Sequence, residues 1–100
     1  MLIYSLVFSD EAKEDIDNIN LYTFTTWGAY QADIYMEFLE KAFQGIARNS
    51  SIGRNREDLP KRFKGYNAGK HVIFYRVDDK IIHIIRVLHE SMSFSKHLNP

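Results

Sequence analysis

The chain has 100 residues, 45% of them hydrophobic, with thirteen basic and thirteen acidic side chains and no cysteine. That is one domain, residues 1–100, with enough apolar material for a core; it excludes a disulfide framework and any thiolate zinc site. Net charge is zero but segregated: residues 1–40 hold one lysine against eight acids, residues 41–100 twelve basic residues against five acids. Separate acidic and basic surfaces are therefore expected. No apolar run approaches the ~20 residues of a membrane span. Met1–Phe8 is too short, and too poor in basic residues, for a signal peptide. A cytoplasmic protein without direct membrane contact is expected.

Leu2–Phe8 alternates as a strand and is apolar on nearly both sides, which predicts a central position in a sheet. Ser9 stands as an N-cap before Asp10 and Glu11, acids suited to the positive end of a helix. Ala12, Ile16, Ile19 and Thr23 form its buried stripe, and the helix runs to about Thr25 or Thr26. Its acids read as lying on the outer side. Trp27-Gly28 is the break, since glycine past a helix end takes left-handed geometry without a Cβ penalty. A second helix follows from Ala29 to about Arg48, with Ala32, Tyr35, Leu39, Ala42, Phe43 and Ile46 on its core face.

Both helices carry a second apolar set. Leu21, Phe24 and Trp27 lie off the first stripe; Tyr30, Ile34 and Phe38 recur every four residues on the second helix. With so short a break the helices form an antiparallel hairpin. The second sets either pack on each other within it or form an exposed groove for a partner.

Asn49–Gly53 is turn chemistry. The segment 54–64 contains Pro60, which argues against a long helix, and five basic residues, Arg54, Arg56, Lys61, Arg62 and Lys64. It reads as a solvated loop or a basic contact surface. A short strand opens at Gly65-Tyr66 and runs to Ala68. Two strong strands follow, His71–Val77 and Ile81–Leu88, around Asp78-Asp79-Lys80. The last is apolar on both faces but holds His83 and Arg86. The tail from Glu90 alternates serine with Met92 and Phe94, is long enough to cross the open sheet face, and carries Lys96 and His97. The expected fold is α+β: an N-terminal strand, then an antiparallel helix hairpin packed on an antiparallel three- to four-stranded sheet.

Little of the sequence suggests an active site. The four histidines lack metal-ligand spacing, and there is no nucleophile elbow or phosphate-binding glycine loop; no metal and no cofactor are expected. One catalytic scheme survives, metal-free RNA cleavage by a base, a phosphate-binding cation and an acid, with Arg76, His83, Arg86 and His89 as candidates. Register decides whether they meet. A three-residue turn at 78–80 puts Arg76 and Arg86 on one face and His71 and His83 on the other. A two-residue turn at Asp79-Lys80 puts Arg76 with His83 and Arg86 opposite.

Several pieces in order resemble ParE toxins of the RelE/ParE superfamily: Ser9 with Ala12, Trp27-Gly28 with Gln31-Ala32 and Tyr35, Ile52-Gly53-Arg54, Gly69 with the strand His71–Arg76, and Ile85–His89 followed by Met92. The resemblance implies a RelE/ParE-like fold of strand, helix hairpin and antiparallel meander. It implies the toxin of a type II toxin–antitoxin system, not an enzyme, that traps the cleaved DNA complex of DNA gyrase and meets nucleic acid only through that target. The partner would be a ParD-like antitoxin, a ribbon-helix-helix protein with an acidic C-terminal segment, seated on Leu21, Phe24, Trp27, Tyr30, Ile34 and Phe38. The resemblance does not fix the target contacts; the basic loop and the tail are expected to supply them, through Arg54, Arg56, Lys61, Arg62, Lys64, Lys96 and His97. RelE-like relatives are instead ribosome-dependent mRNA endonucleases; Glu90-Ser91-Met92-Ser93, where those relatives tend to be basic, weakens that alternative.

Overall fold

The computed structural model describes residues 4–93. In chain order it contains β1 (Ser5–Phe8), α1 (Asp10–Trp27), α2 (Ala29–Arg48), β2 (Phe63–Ala68), β3 (His71–Asp78) and β4 (Ile81–His89). The four strands make one sheet in the order β1-β4-β3-β2.

The helices start and stop where local chemistry dictates. The Ser9 hydroxyl accepts from the Ala12 amide at 2.9 Å and donates to the Ile85 carbonyl at 2.7 Å, so one residue caps α1 and ties it to β4. Gly28, at φ 96°, ends α1 and starts α2. A side chain there would be strained. The expected buried stripes face the sheet: Ala12, Ile19, Leu39, Phe43 and Ile46 pack with Ile73, Tyr75, Ile82, Ile84 and Val87 in the main core. The ring of Phe43 meets that of Phe8 edge-on at 5.0 Å.

Two expectations for the sheet are corrected. β1 is an edge strand, with Val7 46% exposed, and it runs parallel to β4, pairing Ser5 with Ile81 through Phe8 with Ile84. The sheet is therefore mixed, although its other two pairings are antiparallel. Alternation reports two covered faces but carries no information about strand direction or order. Leu2 and Ile3, part of the expected first strand, lie outside the described residues.

The β3–β4 connection is two residues, with Asp79 at φ 59°, and Arg76 pairs with His83. Simple alternation then fails. Phe74 pairs with Arg86 and Tyr75 with Ile84, leaving Ile85 as the extra residue of a bulge. The bulge lets Ile84 and Val87, three apart, both enter the helix-side core. It also shifts Arg86 to the position opposite Phe74.

The second sheet face is closed by the chain itself. Val72, Phe74 and Leu88 pack with Leu59, and Phe63 joins them. The segment after α2 is thus not simply solvated: Leu59 plugs this face while its neighbours remain exposed. The loop is pinned from the other side by Tyr75, whose hydroxyl donates to the Ser50 carbonyl and accepts from the Gly53 amide, both at 2.8 Å.

Candidate functional site

Most of the large hydrophobic side chains left exposed among the described residues stand on the helix hairpin. Leu21, Phe24, Trp27, Tyr30, Ile34 and Phe38 are all exposed, Trp27 at 70% and Tyr30 at 80%. The second stripes therefore do not bury each other. The tip leaves them uncovered because each helix has already turned Ala12, Ile19, Leu39 and their neighbours toward the sheet, and a helix has only one such side to give. Beneath the tip, Tyr22, Thr23, Trp27, Gln31, Tyr35 and Lys70 line a groove of about 430 Å³. Sequence reasoning assigned no role to Tyr22, Gln31 or Lys70; the available signal was aromatic Tyr22 next to Leu21 and outside the Ala12, Ile16, Ile19 and Thr23 stripe.

At the groove's inner end Tyr35 reaches the sheet. Its hydroxyl lies 2.6 Å from His71 Nδ1 and accepts from the Lys70 amide at 3.3 Å. The Ala68 carbonyl stands 3.5 Å from the same hydroxyl, so the phenol proton goes to His71 or to Ala68 according to which ring nitrogen of His71 carries the hydrogen. Desolvation, then the neighbouring His89, push the His71 pKa below the usual histidine value, and burial raises that of Tyr35. The His71 and His89 rings meet edge-on at 5.5 Å. Gly69, at φ 59°, leaves room here, since a Cβ would stand 3.0 Å from both Phe38 and the Tyr35 hydroxyl.

The four residues considered for RNA cleavage do not form one constellation. Arg76 lies opposite His83 and is paired with Asp78 at 3.5 Å. His89 lies beside His71 and 2.8 Å from the Ser91 hydroxyl. Arg86 is held by Asp15: Nε and Nη2 each donate at 2.8 Å, one to each carboxylate oxygen, and the Val87 amide donates to the same carboxylate at 2.9 Å. These hydrogen bonds are the main reason the Arg86 pKa is raised. Among the described residues no strand pairs with β4 on the β1 side beyond Ile84, and Ser9 and Asp15 bond its backbone there. Asp15, expected on the outer side of its helix, is thus a structural partner of the sheet.

The basic segment is only partly free for contacts. Arg56 makes two parallel 3.0 Å bonds to Asp58 and lies 5.8 Å from the Phe74 ring centre. Lys64 donates to Asn55 at 3.3 Å. Arg54, Lys61 and Arg62 are exposed, and Arg54 borders a second hollow of about 360 Å³ with Ile52, Gly65, Tyr66 and Asn67. Lys96 and His97 lie outside the described residues. Among the described residues no group of three or more histidines and carboxylates is placed to hold a metal, and no helix is long and apolar enough to cross a membrane.

A strand, a projecting helix hairpin and a bulged four-stranded sheet define the class. The fold is similar to that of solved chains from a chromosomal ParDE toxin–antitoxin system of P. aeruginosa (TM-score 0.76, 20% identity, 89% of this chain and 98% of that one) and from the RelBE2 toxin–antitoxin complex of Mycobacterium tuberculosis (TM-score 0.62, 22% identity, 88% and 99%). The chain shares the fold of these ParDE and RelBE2 chains.

Within it the particular family follows from sequence. Residues 6–94 match the profile described as ParE toxin of type II toxin-antitoxin system, parDE. The chain is 39% identical over 90 residues to Toxin ParE1 of Caulobacter vibrioides, covering 90% of this chain and 93% of that protein. It is 32% identical over 93 residues to Toxin ParE1 of Mycobacterium tuberculosis, covering 92% and 95%. The chain belongs to the ParE toxin family of type II toxin–antitoxin systems.

Proposed function

We propose that this toxin acts in the cytoplasm without being an enzyme: it traps the cleaved DNA complex of DNA gyrase, and a ParD-like antitoxin silences it by covering the hairpin tip. The observation that carries the reading is the contrast between two surfaces. The candidate catalytic groups are scattered, with Arg86 committed to Asp15, whereas the apolar tip is exposed and built on two long helices. A binding protein needs the second feature and has no use for a cleavage centre. Leu21, Phe24, Trp27, Tyr30, Ile34 and Phe38 are the proposed antitoxin contacts. Arg54, Lys61, Arg62, Lys96 and His97 are the proposed target contacts; Arg56 and Lys64, already bonded to Asp58 and Asn55, would need to exchange partners.

The test is induction of the protein alone in bacteria, followed by assays of gyrase supercoiling and of gyrase-linked DNA breaks. Loss of supercoiling with accumulating breaks is expected, and co-expression of a ParD-like antitoxin should restore growth. Growth arrest with gyrase untouched rejects the target. Codon-positioned mRNA cleavage would establish the nuclease alternative instead.

A further inference from the structure

The hairpin tip combines its apolar surface with a one-signed charge pattern. From Glu14 through Glu40 the chain contains six acids and no lysine or arginine. Asp15 is engaged by Arg86; Asp17, Asp33, Glu37 and Glu40 are exposed. On α2, Asp33, Glu37 and Glu40 recur at spacings of four and three and form one row on the helix surface. Tyr30, Ile34 and Phe38 form the adjoining row. On α1, Asp17 stands one turn before Leu21 on the same side. The nearest cations are at the margins: Lys41 pairs with Glu37 at 3.4 Å, and Lys70 lines the groove beneath.

A row of large side chains spaced i, i+4, i+8 is the ridge into which another helix packs, and such an occupant reads the charges beside the ridge as well as the ridge itself. An acidic segment laid there meets like charge on both helices, whereas a basic border meets opposite charge. We infer that the segment of the antitoxin seated on the hairpin tip is an amphipathic helix whose apolar side is bordered by lysine or arginine. An acidic stretch of the same partner belongs elsewhere. The inference rests on the reading of this chain as a toxin covered by an antitoxin.

Trp27, the chain's one tryptophan, stands in the site and is largely exposed, so its emission reports occupancy directly. The full chain is titrated with two synthetic amphipathic helices of equal length and identical leucine stripe, one bordered by lysine and one by glutamate. The lysine peptide is expected to blue-shift Trp27 and to bind about tenfold tighter at low salt. The preference should shrink at high salt, a measurement that needs no variant. It should also disappear in the neutralised chain Asp33→Asn, Glu37→Gln, Glu40→Gln. Equal or tighter binding of the glutamate peptide overturns the inference. So does a lysine preference that survives neutralisation, or the failure of both peptides to move Trp27 emission. The toxin reading fails by a different result, an induced chain that arrests no growth whatever the peptides do.

Discussion

Replacing Asp15 with alanine tests the account of Arg86 most directly. The carboxylate accepts three hydrogen bonds, two from the Arg86 guanidinium and one from the Val87 amide, and the two side chains are 12% and 18% exposed. Asp15→Ala strands a largely buried cation and a backbone donor together. Breaking a fully buried pair from one side costs about 3–5 kcal/mol, and residual solvent contact lowers this to about 2–4 kcal/mol. For a domain of this size that is a fall in Tm of about 10 °C or more, from a total stability of about 5–15 kcal/mol. Arg86→Met removes the cation but leaves an unpaired carboxylate, still bonded to Val87, and should cost less. The double variant, Asp15→Ala with Arg86→Met, should be more stable than the sum of the two losses predicts, because no charge is left without its partner. Urea unfolding of the four proteins measures this, and toxicity should follow folded fraction in each. Two results would refute the reasoning: Asp15→Ala losing less than about 1 kcal/mol, which lies below the cost of stranding such a group, or Arg86→Met abolishing toxicity while unfolding like the parent chain.

Other consequences follow from the same contacts. A Cβ at Gly53 would stand 2.6 Å from the Tyr75 hydroxyl and 2.8 Å from its ring, and Tyr75 is fully buried; Gly53→Ala should therefore cost about 1–3 kcal/mol of overpacking in urea unfolding. His71 has a lowered folded-state pKa, so the folded protein takes up its proton less readily than the unfolded chain. Its contribution is present above the unfolded value of about 6.5 and is lost as pH falls below it. The drop in urea midpoint between pH 7.5 and 5.5 should shrink in His71→Gln. Leu39→Ala, in the main core, should lose about 2–5 kcal/mol. Trp27→Ser together with Tyr30→Ser should unfold within about 0.5 kcal/mol of the parent chain, since both side chains are exposed, yet bind antitoxin at least about tenfold more weakly in calorimetry.

Much of the fold was legible because the signals are local. Ser9 before two acids and Gly28 between two periodic stretches mark the ends of α1 and the start of α2, and the structure places them there. The two strong strands were readable from β-branched content, with boundaries shifted by one residue, whereas the length of their turn, and with it the register, was left open until the structure showed two residues. The candidate partner surface was readable too: residues that fall off a helix's buried stripe point elsewhere by geometry, and Leu21 through Phe38 do. What the pattern left open was whether anything covers them.

The nuclease candidates show the opposite limit. Arg86 in an apolar strand reads as misplaced until Asp15, seventy-one positions earlier, is brought against it. Neither residue announces the other. The bulge at Ile85 is equally silent in a run of isoleucines, yet it decides which of them reach the core.

The sequence by itself determined the elements, their caps, the stripes each helix buries and the charge divided between the two parts of the chain. These depend on neighbours a few residues apart, and backbone periodicity makes them readable. Only the tertiary structure decided that β1 sits at the edge and parallel to β4, that Leu59 and Phe63 close the second sheet face, that Asp15 holds Arg86, and that the hairpin tip stays uncovered. The physical reason is the same in each case. Alternation and helical period fix the side to which a residue turns, while the group that meets it there is set by how distant segments pack.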